Sequence, residues 1–322
     1  ERLLRVVPDA YIIVRIGMHP PVNWMESHPD DLLRYSDGKT MPCVINSEVH
    51  YDRVPGCYSL CSEAWRKDGG EALMHFCDQV EHSPIADRVI GYFLGAGGTS
   101  EWYYVNQITE AGMNKYADVS PAFRREYGRI LRERYGTEEK LRAAWKKDDA
   151  TFENPGIPDL HEREYVDIDK LIIHSLVTFE CADRIDYGVH YNNQEPTRKG
   201  VFLNVNGYRH VYDFFNAWHE GTANTMIHFA RLLKQRDPDT LVGSFYGSLG
   251  CTDYYGSSTT TGTRKILDSG VVDFLAAPGV YNNRWPGGYV AQREVQDSFT
   301  LRKMLFLSEE DSRTHLDCDF YR

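Results

Sequence analysis

The sequence predicts an α/β fold built on a parallel sheet and wound as a (β/α) barrel. Three observations carry this expectation: short apolar runs recur with hardly any internal alternation, helical patterns separate them, and the chemically rich segments sit just after the runs. An apolar run without alternation is a strand covered on both faces, which is the usual setting of parallel strands. No G-x-G-x-x-G follows an early run, and this favours a barrel over a doubly wound dinucleotide sheet. The whole chain, 1–322, reads as one barrel domain with an insertion at about 148–200.

The first run, residues 11–16 (YIIVRI), ends at the breaker cluster 17–21, so a strand stops there. After a turn-rich stretch through Gly38, residues 62–80 keep Ala64, Leu73, Phe76, Cys77 and Val80 mostly on one face, as an amphipathic helix does. Residues 89–94 (VIGYFL) form a second strand that runs into the loop GAGGTSEW. Residues 121–147 read as a helical pair broken at Gly136, with an imperfect capping box because Thr137 is followed three residues on by Lys140. The polar stretch 148–200 has weak periodicity apart from the patch 171–177, and reads as an insertion over one end of the core. Residues 211–234 place Phe214, Phe215, Trp218, Ala223, Met226, Phe229 and Leu233 at helical spacing. Further strands are expected at 241–246, 271–276 and 304–307, the last opening onto SEEDSRTH. Loops that leave parallel strands at their C-terminal ends form one rim.

Lys and Arg total 36 against 47 Asp and Glu, a formal charge of −11, which repels a nucleic-acid backbone or an anionic membrane. The expected partner is neutral, an oligosaccharide or glycoside, and a homo-oligomer is compatible with the composition. The 21 Tyr and 6 Trp suit stacking on sugar rings, although cores use such side chains too. No apolar run approaches the roughly 20 residues of a membrane span, so a soluble protein is expected; no signal-peptide pattern opens the chain, which leaves secretion of the parent protein undecided. Seven Cys leave at least one thiol without an intrachain partner. Cys57 and Cys61 have a spacing that a metal site could use, but no second close pair follows, so buried or free thiols are preferred over zinc. No metal and no cofactor is expected. Motifs for a serine nucleophile elbow, a zincin or a phosphate-binding loop are absent, and His19, His219 and His315 read as hydrogen-bonded structural residues.

Glycosidic cleavage needs one carboxyl group to protonate the leaving oxygen and a second to attack or to activate water. Glu101 ends VIGYFLGAGGTSE, where glycines let backbone approach a ligand and Trp102 offers an apolar wall that would raise an acid's pKa. Its structural alternative is a helix cap or a partner of a nearby Arg. Glu309 and Glu310 follow the last strand, and consecutive side chains on a strand point to opposite faces, so only one can enter a site. Arg313 would keep that carboxylate ionised; the alternative is a solvated acidic turn.

Three segments resemble glycoside hydrolase family 42, of clan A. The run PPVNWMESHPDDLLRYSDGK is similar to that family's Pro-Pro pair, Trp and Pro-Asp ahead of a helix. The stretch FRREYGRILRERYGTEEKLRAAW resembles its Tyr-Gly helix leading to Ala-Trp, and VDFLAAPGVYNNRWPGG through KMLFLSEEDSRTHL resembles the end of its barrel. The matches occur in the family's order from about residue 11 to 316.

The resemblance implies a (β/α)8 barrel and β-galactosidase-like action on terminal β-linked sugars with retention of configuration. It places the acid/base at Glu101 after the fourth strand and the nucleophile at Glu309 after the seventh, with Glu310 as the intervening residue. Retention sets the two carboxyls about 5–5.5 Å apart, whereas roughly 8 Å would favour inversion. Expected sugar contacts at or after strand ends are Arg15, Trp24, Ser100, Trp102, Tyr246, Tyr281, Asn282, Arg284, Trp285 and Arg313. The family usually carries Asn where Ser100 stands, so either recognition of the sugar's 2-hydroxyl is reassigned or the sugar is not galactose. The rival readings are a β-mannosidase or β-glucosidase on the same barrel, and a carbohydrate-binding barrel without catalysis. By the same resemblance residues 11–16 match an internal strand, so the first strands and the last are expected to lie outside this chain.

Overall fold

A computed structural model describes residues 2–40, 57–97, 100–102, 117–159, 162, 208–246, 262–278, 294 and 296–309. Helix α1 (Arg2–Val6) leads into strand β1 (Ile12–Gly17), then α2 (Val22–Ser27) and α3 (Glu63–Glu81). Strand β2 (Val89–Gly95) precedes α4 (Pro121–Tyr135), α5 (Glu138–Trp145) and the 28-residue α6 (Arg209–Arg236). Strand β3 (Leu241–Phe245), α7 (Thr263–Leu267), β4 (Phe274–Pro278), α8 (Gln296–Leu301) and β5 (Leu305–Glu309) complete the order.

Local chemistry sets the helix ends. Ser62 and Ser120 cap α3 and α4 by accepting from the backbone N–H of Trp65 and Phe123. Gly136 ends α4 with φ 75°, a left-handed turn that glycine adopts without a Cβ clash, and Thr137 caps α5.

The five strands form one parallel sheet in the order β1-β2-β3-β4-β5. A doubly wound sheet reverses its strand order at a switch point; these strands do not, and they follow the sequential winding of a barrel. The sheet register sorts the side chains onto two faces. Val14, Ile16, Tyr92, Leu94, Val242, Leu275 and Phe306 belong to the main core together with Phe214, Trp218, Met226 and Phe229 of α6. The other face carries a separate cluster, Phe93, Phe245, Phe274 and Ala276, against which Leu241 packs. We call it the aromatic face. A Cβ at Gly243 would stand 2.1 Å from the Phe274 ring, so glycine alone lets that ring lie across β3.

Three expectations need correction. Strand β4 begins at Phe274 rather than at 271, because the Asp273 carboxylate accepts the Val242 N–H at 2.8 Å and pairs with Lys234 at 2.8 Å. The edge strands are also not covered on both faces, since Leu305 and Leu307 are 64% and 51% exposed and Ile13 is 39% exposed. Register puts all three on the aromatic face. Cys57 is in a disulfide, against the preference for thiols, while Cys61 and Cys77 are buried thiols outside any disulfide. Among the described residues no cluster of three or more His, Cys, Asp or Glu could hold a metal, and no helix is long and apolar enough to cross a membrane. Of the expected insertion, residues 148–159 carry no helix or strand and 163–200 lie outside the described residues.

A buried carboxylate ties three helices together. Glu126 of α4 accepts from Arg66 of α3 at 3.0 and 3.3 Å, from Arg129 at 2.9 Å twice, and from Asn224 of α6 at 2.7 Å. Burial alone would raise its pKa, but the hydrogen bonds from Arg129 and Arg66 and the charge of Arg66 outweigh it, leaving the pKa at about 2. Glu126→Gln should cost about 3 kcal/mol in urea unfolding, the low end for breaking a buried pair because Arg129 reaches solvent. With its pKa lowered from 4.5, the Glu126 contribution is complete above pH 4.5 and is lost as pH falls towards about 2. The variant's stability should therefore decline less steeply across that window. A change under about 0.5 kcal/mol would refute the cross-link.

Candidate active site

The site is built where β1 and β2 end. The Met18 N–H donates to the Gly95 carbonyl at 2.6 Å, carrying the ladder one step past β1. The Met18 carbonyl accepts from the Tyr58 hydroxyl at 2.9 Å and the Trp65 indole at 3.1 Å. Burial holds the Tyr58 phenol protonated, raising its pKa against a hydrogen bond from the Gly97 backbone. Tyr58 thus bridges the loop after β1 to the loop after β2.

In that second loop Glu101 lies between two residues of left-handed backbone, Ser100 at φ 67° and Trp102 at φ 60°. Each such conformation costs a non-glycine residue about 1–3 kcal/mol and persists only when its surroundings enforce it. Here Trp102 does so: its N–H donates to the Ala96 carbonyl at 2.7 Å, its indole N–H donates to the Leu94 carbonyl at 3.2 Å, and its ring is wholly buried. Glu101 itself is half-buried.

Gly17 and Gly95 are register partners at the ends of their strands, on the aromatic face. A Cβ at Gly95 would stand 2.7 Å from the Ser100 Cβ, and one at Gly17 would stand 3.2 Å from His19 Cδ2 and 3.9 Å from its Nε2. His19 and Ser100 therefore lie side by side above two glycines that make room for them. Two residues back on the same face, the Arg15 guanidinium stands 5.8 Å from the Phe93 ring centre and 5.0 Å from that of Phe245. Glu309 closes β5, exposed and in register with Pro278, on the face that carries Phe274 and Ala276. Strands β3 and β4 separate β2 from β5, three steps of about 4.8 Å along the sheet.

The structure gathers Arg15, Ser100, Glu101 and Glu309 at or beyond the C-terminal half of one sheet. Three expected sugar contacts belong instead to the core. Trp24 stacks on His28 at 4.1 Å and donates its indole N–H to Asp68 at 2.8 Å. Tyr246 is buried and donates to the His219 carbonyl at 2.8 Å, and Trp102 has no exposed ring face. Tyr281, Asn282, Arg284, Trp285 and Arg313 lie outside the described residues.

Sequence reasoning passed over Phe93 and Phe245, whose alternate positions in VIGYFLG and LVGSF put them on the aromatic face. It also took His19 for a hydrogen-bonded structural residue. Instead, both His19 ring nitrogens are buried without a hydrogen-bond partner among the described residues, and the ring meets Tyr58 edge-on at 6.1 Å. Burial lowers its pKa to about 4, so the imidazole is neutral at neutral pH.

No protein-family model and no curated protein matches the sequence. Among solved structures, the catalytic domain of β-amylase from Paenibacillus polymyxa aligns with TM-score 0.61 and 13% identity over 97% of this chain and 73% of that one. β-Galactosidases from psychrophilic Marinomonas ef1 and from the Antarctic haloarchaeon Halorubrum lacusprofundi align at 13% and 14% identity, with TM-scores of 0.48 and 0.45 over 83% and 85% of this chain. The chain spans 30% and 31% of the length of those two. At 13% identity the β-amylase domain's likeness bears on the fold alone.

A histidine whose pKa drops on folding from 6.5 to about 4 leaves the unfolded chain to take up the proton first. Its effect on stability is nil above pH 6.5 and becomes increasingly unfavourable as pH falls towards about 4. His19→Gln should therefore flatten the loss of melting temperature across that window. A slope identical to wild type would mean that the imidazole is solvated.

Proposed function

We propose that this chain carries the catalytic machinery of a retaining glycoside hydrolase acting on terminal β-linked sugars in a β-galactosidase-like manner. Glu101 serves as general acid/base and Glu309 as nucleophile. The observation that supports this most is the shared position of the two carboxylates: one closes a strand on the aromatic face, and the other lies in the rim loop of the same parallel sheet, between two strained residues. In open parallel α/β sheets and barrels alike, ligands bind beyond the carboxyl ends of the strands.

On this reading the sheet is an arc of a closed (β/α)8 barrel. The apolar side chains exposed at its two ends, Ile13 on β1 and Leu305 and Leu307 on β5, are what further strands would cover. Curvature then brings the Glu101 loop and Glu309 to the roughly 5–5.5 Å that double displacement needs. Glu101 protonates the leaving oxygen while Glu309 attacks the anomeric carbon, giving a glycosyl-enzyme. Glu101 then takes a proton from the water that releases the sugar. Arg15, held over two aromatic rings, supplies a fixed cation beside the sugar.

A panel of nitrophenyl β-galactoside, β-glucoside and β-mannoside tests this reading and identifies the sugar. Wild type should cleave one with retention, seen as the β-anomer first formed in proton NMR. Glu101→Ala should lower kcat by about 10²–10⁴-fold. Glu309→Ala should be inactive until azide is added and should then yield the α-glycosyl azide. An inert wild type that still binds oligosaccharide would establish the binding-barrel reading in its place.

A further inference from the structure

We infer that His19 is a sugar-contacting residue whose imidazole bridges two neighbouring hydroxyl groups of the substrate beside Ser100, an assignment that rests on the glycosidase reading. The ring lies above Gly17 on the aromatic face, one strand from the loop that carries Glu101. Its backbone is fixed, because the N–H and carbonyl of the preceding Met18 are both hydrogen-bonded. Yet both ring nitrogens are buried and unpaired among the described residues. Buried polar atoms nearly always have partners, so a bare pair beside a candidate site fits one supplied by a ligand.

The chemistry of the ring selects that partner. A neutral imidazole presents one N–H donor and one acceptor nitrogen. Two adjacent hydroxyls match it, one accepting and the other donating, whereas a phosphate or carboxylate satisfies only the donor and a cation only the acceptor. A metal is disfavoured further because no cluster of three or more ligating side chains forms among the described residues. Burial keeps the ring neutral down to about pH 4, so it does not compete with Glu101 for the catalytic proton.

The test is a cycle of enzyme and substrate truncations. Wild type, His19→Ala and His19→Gln are compared on the best nitrophenyl glycoside of the panel and on its monodeoxy derivatives, with thermal melting to confirm that each variant folds. Loss of the contact should raise KM about tenfold with a smaller change in kcat. Removing either of the two contacted hydroxyls should lower wild-type kcat/KM by about tenfold but barely affect His19→Ala, while the remaining deoxy positions affect both enzymes equally. Equal penalties at every position would overturn the assignment while leaving the glycosidase reading intact. Should wild type cleave no glycoside, that reading falls. His19 is then judged by titrating ¹⁵N-histidine-labelled protein with free galactose, glucose and mannose. A shift of the resonances missing in His19→Gln supports a sugar site, and unchanged resonances overturn it.

Discussion

All five strands run in the same direction, and this constraint fixes where chemistry can occur. Each strand is entered from the same end, so the C-terminal ends of all the described strands lie on one rim. Met18, Gly97, Ser100 and Glu101 reach that rim because β1 and β2 end in register, with Gly17 beside Gly95. Glu309 reaches it because β5 continues in register with β4 to Pro278. Residues more than 200 positions apart in the sequence thus share an edge through backbone pairing alone.

The helices that hold the sheet in place are joined by buried charge as well as by apolar contact. Glu126 joins α3, α4 and α6, and Asp213 of α6 accepts from Arg134 at 2.7 Å, from the Trp145 indole at 2.7 Å and from the Tyr135 hydroxyl, joining α4 and α5 to the same helix. Burying a carboxylate is favourable only when its oxygens are saturated with donors, and both groups meet that requirement. Such linkages specify one arrangement of α6, because sliding the helix by a turn would strand the charges. Since α6 packs against β2 and β3, this specificity passes to the strands that carry the rim.

Much of this was legible in the sequence. The run YIIVRI, the helix at 62–80, the pair broken at Gly136 and the long amphipathic helix before LVGSFY fall within a few residues of β1, α3, α4 with α5, and α6. Their signals are local: a period, a cap or a glycine. What failed was the assignment of faces. In a strand such as LVGSF, with apolar side chains on both faces, alternation carries no information about which side meets the helices, so the sequence offers Tyr246 as a sugar contact and passes over Phe245. The structure shows Tyr246 turned to α6 and Phe245 turned to Arg15. Trp102 failed differently. Its neighbour Glu101 suggested a ring lining the site, whereas the loop folds back and uses the indole as an anchor.

Two kinds of local rule are broken side by side in one small region. Ser100 and Trp102 hold backbone that costs free energy, and His19, above the neighbouring strand, leaves two polar atoms unsatisfied. Either feature alone has a commonplace reading. Buried orphans occur elsewhere among the described residues, on Arg34, His210, Thr263 and Glu294, whose carboxyl pKa burial raises to about 9, and left-handed backbone recurs at Lys146 and Lys303. At the end of β1 and β2 the two kinds of cost coincide, and hydrogen bonds hold the surrounding backbone in place: Trp102 to Leu94 and Ala96, and Tyr58 to Met18. A chain selected for stability alone could relieve each defect with one glycine or one apolar side chain. Their survival next to each other, around a carboxylate and beside a fixed guanidinium, is the pattern expected where geometry has been kept for a ligand.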